Sequence, residues 1–295
     1  MITGELITSK NNIKAANIIH LKYVDDLTIA ESIDLKENLV AVPESVRTLP
    51  DSFHARTGHV LPPQKSQVYK QLLKTDDYSN KNSMKMNEKK TKLMLFNPCR
   101  AWDFMPEFAL KGNEIEMVEE MKLLGVVVRS DLKWTSNTEN IVKKAYKRLW
   151  VLRRLKAMGA TQAELKDIFV KQVRSVLELA VPAWHAAITQ AESLDIERVQ
   201  KTAFHVILGD GYTSYKSALQ IIGLDSLESR RVKLCLKFAR KAEKHPKHQK
   251  WFKATTKSVN TRQVKDKYCP VYSNHSRFDN SPISYLTKLL NSDSK

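Results

Sequence analysis

The stretch Leu21-Lys22-Tyr23-Val24-Asp25-Asp26-Leu27-Thr28-Ile29 limits the folds open to this chain more than any other, because two adjacent carboxylates interrupt an apolar run. Side chains alternate between the faces of a strand, so neighbouring acids on a regular strand point to opposite sides. Both can serve one site only from a turn. Tyr23-Val24 and Leu27-Thr28-Ile29 favour extended backbone, while Asp tolerates turn geometry. The string therefore reads as a short hairpin with two acids at its tip. Such a tip suits Mg²⁺, which takes oxygen ligands, keeps several waters and is commonly held by one or two carboxylates plus phosphates. The plain alternative is a solvated Asp-Asp turn, and the surrounding sequence has to decide.

Charge is the second constraint. Residues 1–132 hold 18 Lys and Arg against 18 Asp and Glu, whereas residues 133–295 hold 31 against 14, so the whole net charge of +17 lies in the second part. A basic segment beside a neutral one is the electrostatic footprint of a polyanion binder, since phosphates attract it independently of sequence through counterion release. A merely solvated surface is the alternative. With 295 residues, 42% of them hydrophobic, the chain can bury two cores. No apolar run reaches the ~18 residues a bilayer requires, and the amino terminus lacks a signal peptide's charged-then-apolar pattern. The expectation is a soluble, intracellular protein with no membrane partner. Cys99, Cys235 and Cys269 are odd in number and widely spaced, which argues against a disulfide framework. Cys235, His245, His248 and Cys269 match no common zinc spacing.

Along the chain, Ile33 to Leu39 looks weakly helical, and Pro43, Pro50, Pro62 and Pro63 make residues 41–65 a long loop. Ser66 can cap a helix from Gln67, with Val68, Tyr69, Leu72 and Leu73 at helical spacing. Met84 to Phe96 reads as a polar turn leading into an apolar strand. Leu123-Leu124, Gly125 and Val126-Val127-Val128 read as strands about a bend that the glycine permits. From Thr135 the pattern becomes helical. Glu139 to Met158 carries Ile141, Val142, Ala145, Leu149, Leu152 and Leu155 on one stripe, with Gly159 placed to end it. Thr161-Gln162-Ala163-Glu164 is a capping box for a helix turning Leu165, Ile168, Phe169, Val173, Val176 and Leu177 inward. Further helices follow near Ser193 to Leu208, Tyr215 to Ile222 and Ser226 to Lys244. Residues 252–295 are polar and basic, with one apolar patch at Ile283 to Leu290, and are expected to be mostly irregular.

The order of these parts resembles the carboxy-terminal half of the reverse transcriptase of non-long-terminal-repeat retrotransposons, the long-interspersed-element class. It is carried by Tyr23-Val24-Asp25-Asp26, by Asn87-Glu88-Lys89-Lys90-Thr91 before a strand, by Lys122-Leu123-Leu124-Gly125-Val126, and by the basic helical segment. The stretch from Asn140 to Trp184 is similar to jockey-like elements. The resemblance implies an α+β fold: a partial polymerase palm over 1–134, built of antiparallel hairpins with a packed helix, an all-helical basic thumb over 135–250, and a basic tail over 251–295. It implies that Asp25 binds catalytic Mg²⁺ with Asp26 as its neighbour, that Tyr23 and Val24 lie against primer end and nucleotide, and that Lys90 sits near the leaving pyrophosphate. Gly125 would belong to the primer grip. Lys143, Lys144, Lys147, Arg148, Arg153 and Arg154 would follow the backbone of an RNA template and DNA primer. Use of chromosomal targets by the family implies access to the nucleus.

Two-metal nucleotidyl transfer needs carboxylates converging from more than one strand, yet residues 1–22 contain one acid, Glu5, and no Asp. The polypeptide by itself is therefore expected not to polymerise DNA, and to use deoxynucleoside triphosphates only if the rest of a palm is supplied. The alternative is a non-catalytic, basic nucleic-acid-binding protein derived from a retroelement, including a variant in which Leu219 to Arg240 forms a helix-turn-helix.

Overall fold

The computed structural model describes residues 66–96, 108–255, 266–269 and 279–293 in full, and the strand backbones at 19–23, 26–30, 40–41, 59–61 and 104–106. The chain divides into two units, Met1–Glu119 and Glu120–Lys295. The architecture is mixed α+β and mostly helical.

In the first unit, strands β1 (Ile19–Tyr23) and β2 (Asp26–Ala30) form an antiparallel pair whose register runs from Ile19↔Ala30 to Tyr23↔Asp26. A second sheet joins β3 (Val40–Ala41), β4 (His59–Leu61) and β5 (Phe104–Pro106), with β4 antiparallel to β3 and parallel to β5. The segment read as a continuous loop, 41–65, thus contains a strand, placed immediately before Pro62-Pro63, where the ladder has to stop. Helix α1 (Gln67–Lys81) starts where the Ser66 hydroxyl accepts from the Tyr69 amide at 3.1 Å. It packs on the hairpin of β6 (Ala109–Leu110) and β7 (Asn113–Glu114). Tyr69 stacks on Phe108 at 4.9 Å and donates its hydroxyl proton to the Ala109 carbonyl at 2.9 Å. Leu72, Phe108, Leu110 and Ile115 form the buried centre of this small core. The expected strand ending at Phe96 is reduced to one bridge, Leu93↔Met117, where the Leu93 amide bonds to Glu116 and its carbonyl accepts from Val118.

The second unit opens with the hairpin of β8 (Glu120–Leu123) and β9 (Val126–Arg129), closed by the pair Leu123↔Val126. The two connecting residues, Leu124 and Gly125, both have positive φ, at 48° and 91°. That is the turn whose twist matches a two-residue hairpin, and glycine fits it without strain. A Cβ on Gly125 would also sit 3.1 Å from Leu179 Cδ2. Gly125→Ala is expected to cost about 1–2 kcal/mol, read as a lower denaturation midpoint with an unchanged slope. Val127 donates its amide to the buried Asn137 side chain at 3.1 Å, which ties the hairpin to helix α2 (Thr135–Ala157).

Among the described residues, further α-helices include α3 (Gln162–Ile168), α4 (Val181–Trp184), α5 (Gln190–Leu208), α6 (Tyr215–Ile222), α7 (Leu227–Lys244) and α8 (Pro282–Asp293). Helix α2 ends as its sequence suggests: Gly159 takes φ 90°, and the Ala160 amide reaches back to the Leu155 carbonyl at 3.0 Å. The box at Thr161 and Glu164 opens α3, and a second box at Thr189 and Glu192 starts α5 earlier than Ser193. Helix α3 does not run on regularly. It passes into a π segment, Phe169–Arg174, and one last α-turn, Ser175–Leu177, before Ala180 reverses the chain at φ 51°. The tail is ordered over α8, which lies along α7 and buries Leu286 and Leu290. Ile141, Ala145, Leu149 and Leu152 of α2 meet Phe169, Val173, Trp184, Val199 and Phe204 in one core. Each fully buried large side chain there contributes about 1.5–3 kcal/mol.

Some polar groups inside this core bond to one another, while the Nη1 atom of Arg231 and Oε1 of Gln200 are buried without a hydrogen-bond partner among the described residues. Arg231 is 1% exposed, and it donates through Nε to His185 Nδ1 at 3.3 Å and through Nη2 to the Ser193 hydroxyl. Accepting at Nδ1 requires a neutral imidazole. Burial, with the Arg231 guanidinium beside it, pushes His185 down to about 4. In the unfolded chain a histidine titrates near 6.5, so between these values the unfolded state binds more protons and stability falls as pH falls. Full stability is present above about pH 6.5. Because the ring is only partly buried, solvent screening limits the expected loss to about 1–2 kcal/mol by pH 4. Denaturant titrations at several pH values check this, and His185→Gln, which keeps an acceptor, should remove that part of the slope. Burial also pushes the Cys235 thiol up to about 12, consistent with an inert packing role.

Candidate nucleic-acid interface

Helix α2 carries the charge asymmetry into space. Its buried stripe leaves the opposite face to solvent, and there Lys143, Lys147, Trp150 and Arg154 recur at helical spacing along one line. Trp150 is 61% exposed, an unusual state for so large an apolar ring. The Arg154 guanidinium lies over it, 5.9 Å from the ring centroid. Tyr146, one turn before Trp150, is 39% exposed. Lys143, Lys147 and Arg154 have no carboxylate partner among the described residues. The result is an aromatic platform flanked by cations, which can stack on a base while it meets phosphates.

The other basic residues expected to act with them are distributed differently. Arg148 donates to the backbone carbonyl of Gln172 inside the π segment, a carbonyl that irregular helix geometry leaves accessible. Lys156, a further cation of α2 outside that expected set, donates to the Val206 carbonyl at 2.6 Å. Lys144 sits on the flank of the helix towards Arg148, and Arg153 on the flank towards Tyr146. Trp150 and Tyr146 did not figure among the residues singled out from sequence, although their spacing from Lys143, Lys147 and Arg154 was the available signal.

Lys90 ends a 3₁₀ turn, Glu88–Lys90, built by its own motif. The Asn87 side chain accepts from the Lys90 amide at 3.1 Å, and the Thr91 hydroxyl donates to the Asn87 carbonyl at 2.9 Å. Asn and Thr thus hold the turn, and Lys90 projects from it exposed. Gly125 occupies the tight hairpin described above, beside an exposed Leu124 in the left-handed region. A non-glycine residue held there is mildly strained, which directs attention to the tip.

Tyr23 and Asp26 are the last paired residues of β1 and β2, so the backbone there is a hairpin closed between them. Val24 and Asp25 lie outside the described residues, as do the side chains of Tyr23 and Asp26. Among the described residues no group of three or more His, Cys, Asp or Glu could hold a metal ion, and Cys235, His245, His248 and Cys269 are not gathered into one. No helix among the described residues is long and apolar enough to cross a membrane. No family model, no curated protein and no solved structure matches the chain.

Proposed function

We propose that the chain is part of an RNA-directed DNA polymerase of the non-long-terminal-repeat retrotransposon kind, and that its helical unit holds template–primer nucleic acid. The observation that carries the binding role is the face of α2, where Lys143, Lys147 and Arg154 flank a solvent-facing Trp150. The polymerase ancestry rests on the ordered motifs at Tyr23 to Asp26, Asn87 to Thr91 and Leu123 to Val126. In this reading Asp25 and Asp26 are the acids that would hold Mg²⁺, whose chemistry when bound is to stabilise the attacking and leaving oxygens of the transfer. Lys90 would offset charge on the departing pyrophosphate, and Gly125 with Tyr23 and Val24 would contact primer and nucleotide. A second reading, nucleic-acid binding without catalysis, is favoured by the helical unit having its own core and carrying the cationic face itself.

A primed RNA template offered to the purified polypeptide with Mg²⁺ and deoxynucleoside triphosphates tests both. The expected result is binding that survives a chelator, with no primer extension. Extension that disappears in Asp25→Ala would overturn the expected inactivity, and absence of binding would overturn the proposal.

A further inference from the structure

The end of α7 carries a second cationic surface, independent of α2. Lys233, Leu236, Lys237, Arg240, Lys241 and Lys244 share one face of α7, around a shallow, open depression of about 430 Å³. Two of its five cations are engaged: Lys233 with Asp225 at 2.6 Å, and Arg240 with both oxygens of Asp293 on α8. Lys237, Lys241 and Lys244 have no carboxylate partner among the described residues. They recur at positions i, i+4 and i+7, so their charges follow one another along the helix at about 1.5 Å of rise per residue. Charges in file suit a linear polyanion better than a single phosphate, around which they would converge.

The chain then leaves α7 through a ladder of rings. His245 lies tilted against His248 at 4.7 Å and 30°, and His248 tilted against Trp251 at 4.3 Å and 35°. Trp251 packs against the core of the helical unit, whereas His245 is exposed. The ladder is therefore anchored at its inner end, and its outer ring faces solvent directly after Lys244.

We infer that this cationic face of α7 and the His245 ladder bind single-stranded nucleic acid, with the backbone along Lys237, Lys241 and Lys244 and an unpaired base stacked on His245. Lysines without carboxylate partners supply attraction that does not depend on sequence. A stacking ring selects for a single strand, because a duplex keeps its base faces covered. An acidic peptide would satisfy the lysines and leave the ladder unused.

Fluorescence anisotropy of labelled single-stranded oligonucleotides on the full chain tests this. The variant Lys237→Gln/Lys241→Gln/Lys244→Gln keeps helix-favouring residues at exposed positions and is expected to fold, as circular dichroism would verify. It should bind a single strand about tenfold more weakly, and its salt slope should be shallower by about 2, from roughly 0.7 per lost phosphate contact. His245→Ala should weaken binding about fivefold, and His245→Phe should restore it, since stacking needs only a ring. The Lys143→Gln/Lys147→Gln variant of α2 serves as the separate arm: if it alone lost affinity, this proposal would fall while the α2 reading stood. Unchanged affinity in the α7 variant would also overturn it. So would equal effects of His245→Ala and His245→Phe, or competition by polyglutamate as effective as by an oligonucleotide.

Discussion

Glu197→Ala is expected to lower the stability of the helical unit by about 3–4 kcal/mol, from unpaired buried donors and a lost charge at a helix N-terminus. The Glu197 side chain lies in the core with 8% exposure. Its carboxylate accepts from the amides of Leu227 and Glu228 at 3.0 and 3.2 Å, the first two residues of α7, and from the hydroxyl of Tyr215 on α6. A helix leaves its first amides without intrahelical partners, and a carboxylate there satisfies both the hydrogen bonds and the positive end of the dipole. Tyr215 also accepts from Gln200 Nε2 at 2.9 Å, which in turn donates to the Asp225 carbonyl. Burial and the neighbouring Glu197 push the Tyr215 hydroxyl well above its ordinary range, so it remains the donor. Removing the carboxylate therefore releases α5, α6 and α7 from one another at a single point. Glu197→Gln keeps one acceptor oxygen and should cost about half as much. Urea unfolding followed by helical circular dichroism reads both values.

Trp150→Ala is expected to weaken binding of a primed template about tenfold while leaving stability within about 0.5 kcal/mol. The two effects separate because the ring is largely in solvent, so its removal opens no cavity in the core. A base stacked on an aromatic platform is worth about 1–3 kcal/mol, and the lower part of that range corresponds to the tenfold loss. Trp150→Phe should retain most of the affinity. Arg154→Gln removes both the cation over the ring and a phosphate contact, and should add a change in salt slope that Trp150→Ala lacks. Anisotropy titrations of the two variants at matched salt distinguish these contributions.

The elements legible in the sequence are those with a long period or a specific terminal signal. The stripe of α2, its stop at Gly159 and the box at Thr161 are local patterns, and each appears where its residues put it. The hairpin about Tyr23 and Asp26 was legible because acids flanked by β-favouring residues have few other uses. Short elements were not. The two-residue strands of the hairpin through Lys111-Gly112, and β4 between prolines, are too brief to show a period and exist through their pairing. Helix α8 was hidden by a polar composition, and it is stabilised by docking Leu286 and Leu290 against α7. The π segment at Phe169–Arg174 keeps apolar residues at ordinary helical spacing, so only the packing of the surrounding helices reveals it. Among candidate site residues, the cations of α2 were legible as charge. Which of them share a face with Trp150, and that Arg148 is drawn off to the Gln172 carbonyl, depends on contacts between segments distant in the chain. The same is true of Arg231 with His185 and of Glu197 with α7, whose partners lie far apart in the chain.

The binding role of the helical unit is tested most directly by the salt dependence of its affinity for a labelled RNA–DNA hybrid, measured on the full chain between about 50 and 200 mM salt. If Lys143, Lys147 and Arg154 each meet a phosphate, log K should fall with log salt at a slope of about −3 or steeper, at roughly 0.9 per contact. The variant Lys143→Gln/Lys147→Gln/Arg154→Gln should flatten that slope by about 2–3. Binding that is insensitive to salt, or a slope that the triple variant leaves unchanged, would contradict the assignment of α2 as the nucleic-acid face.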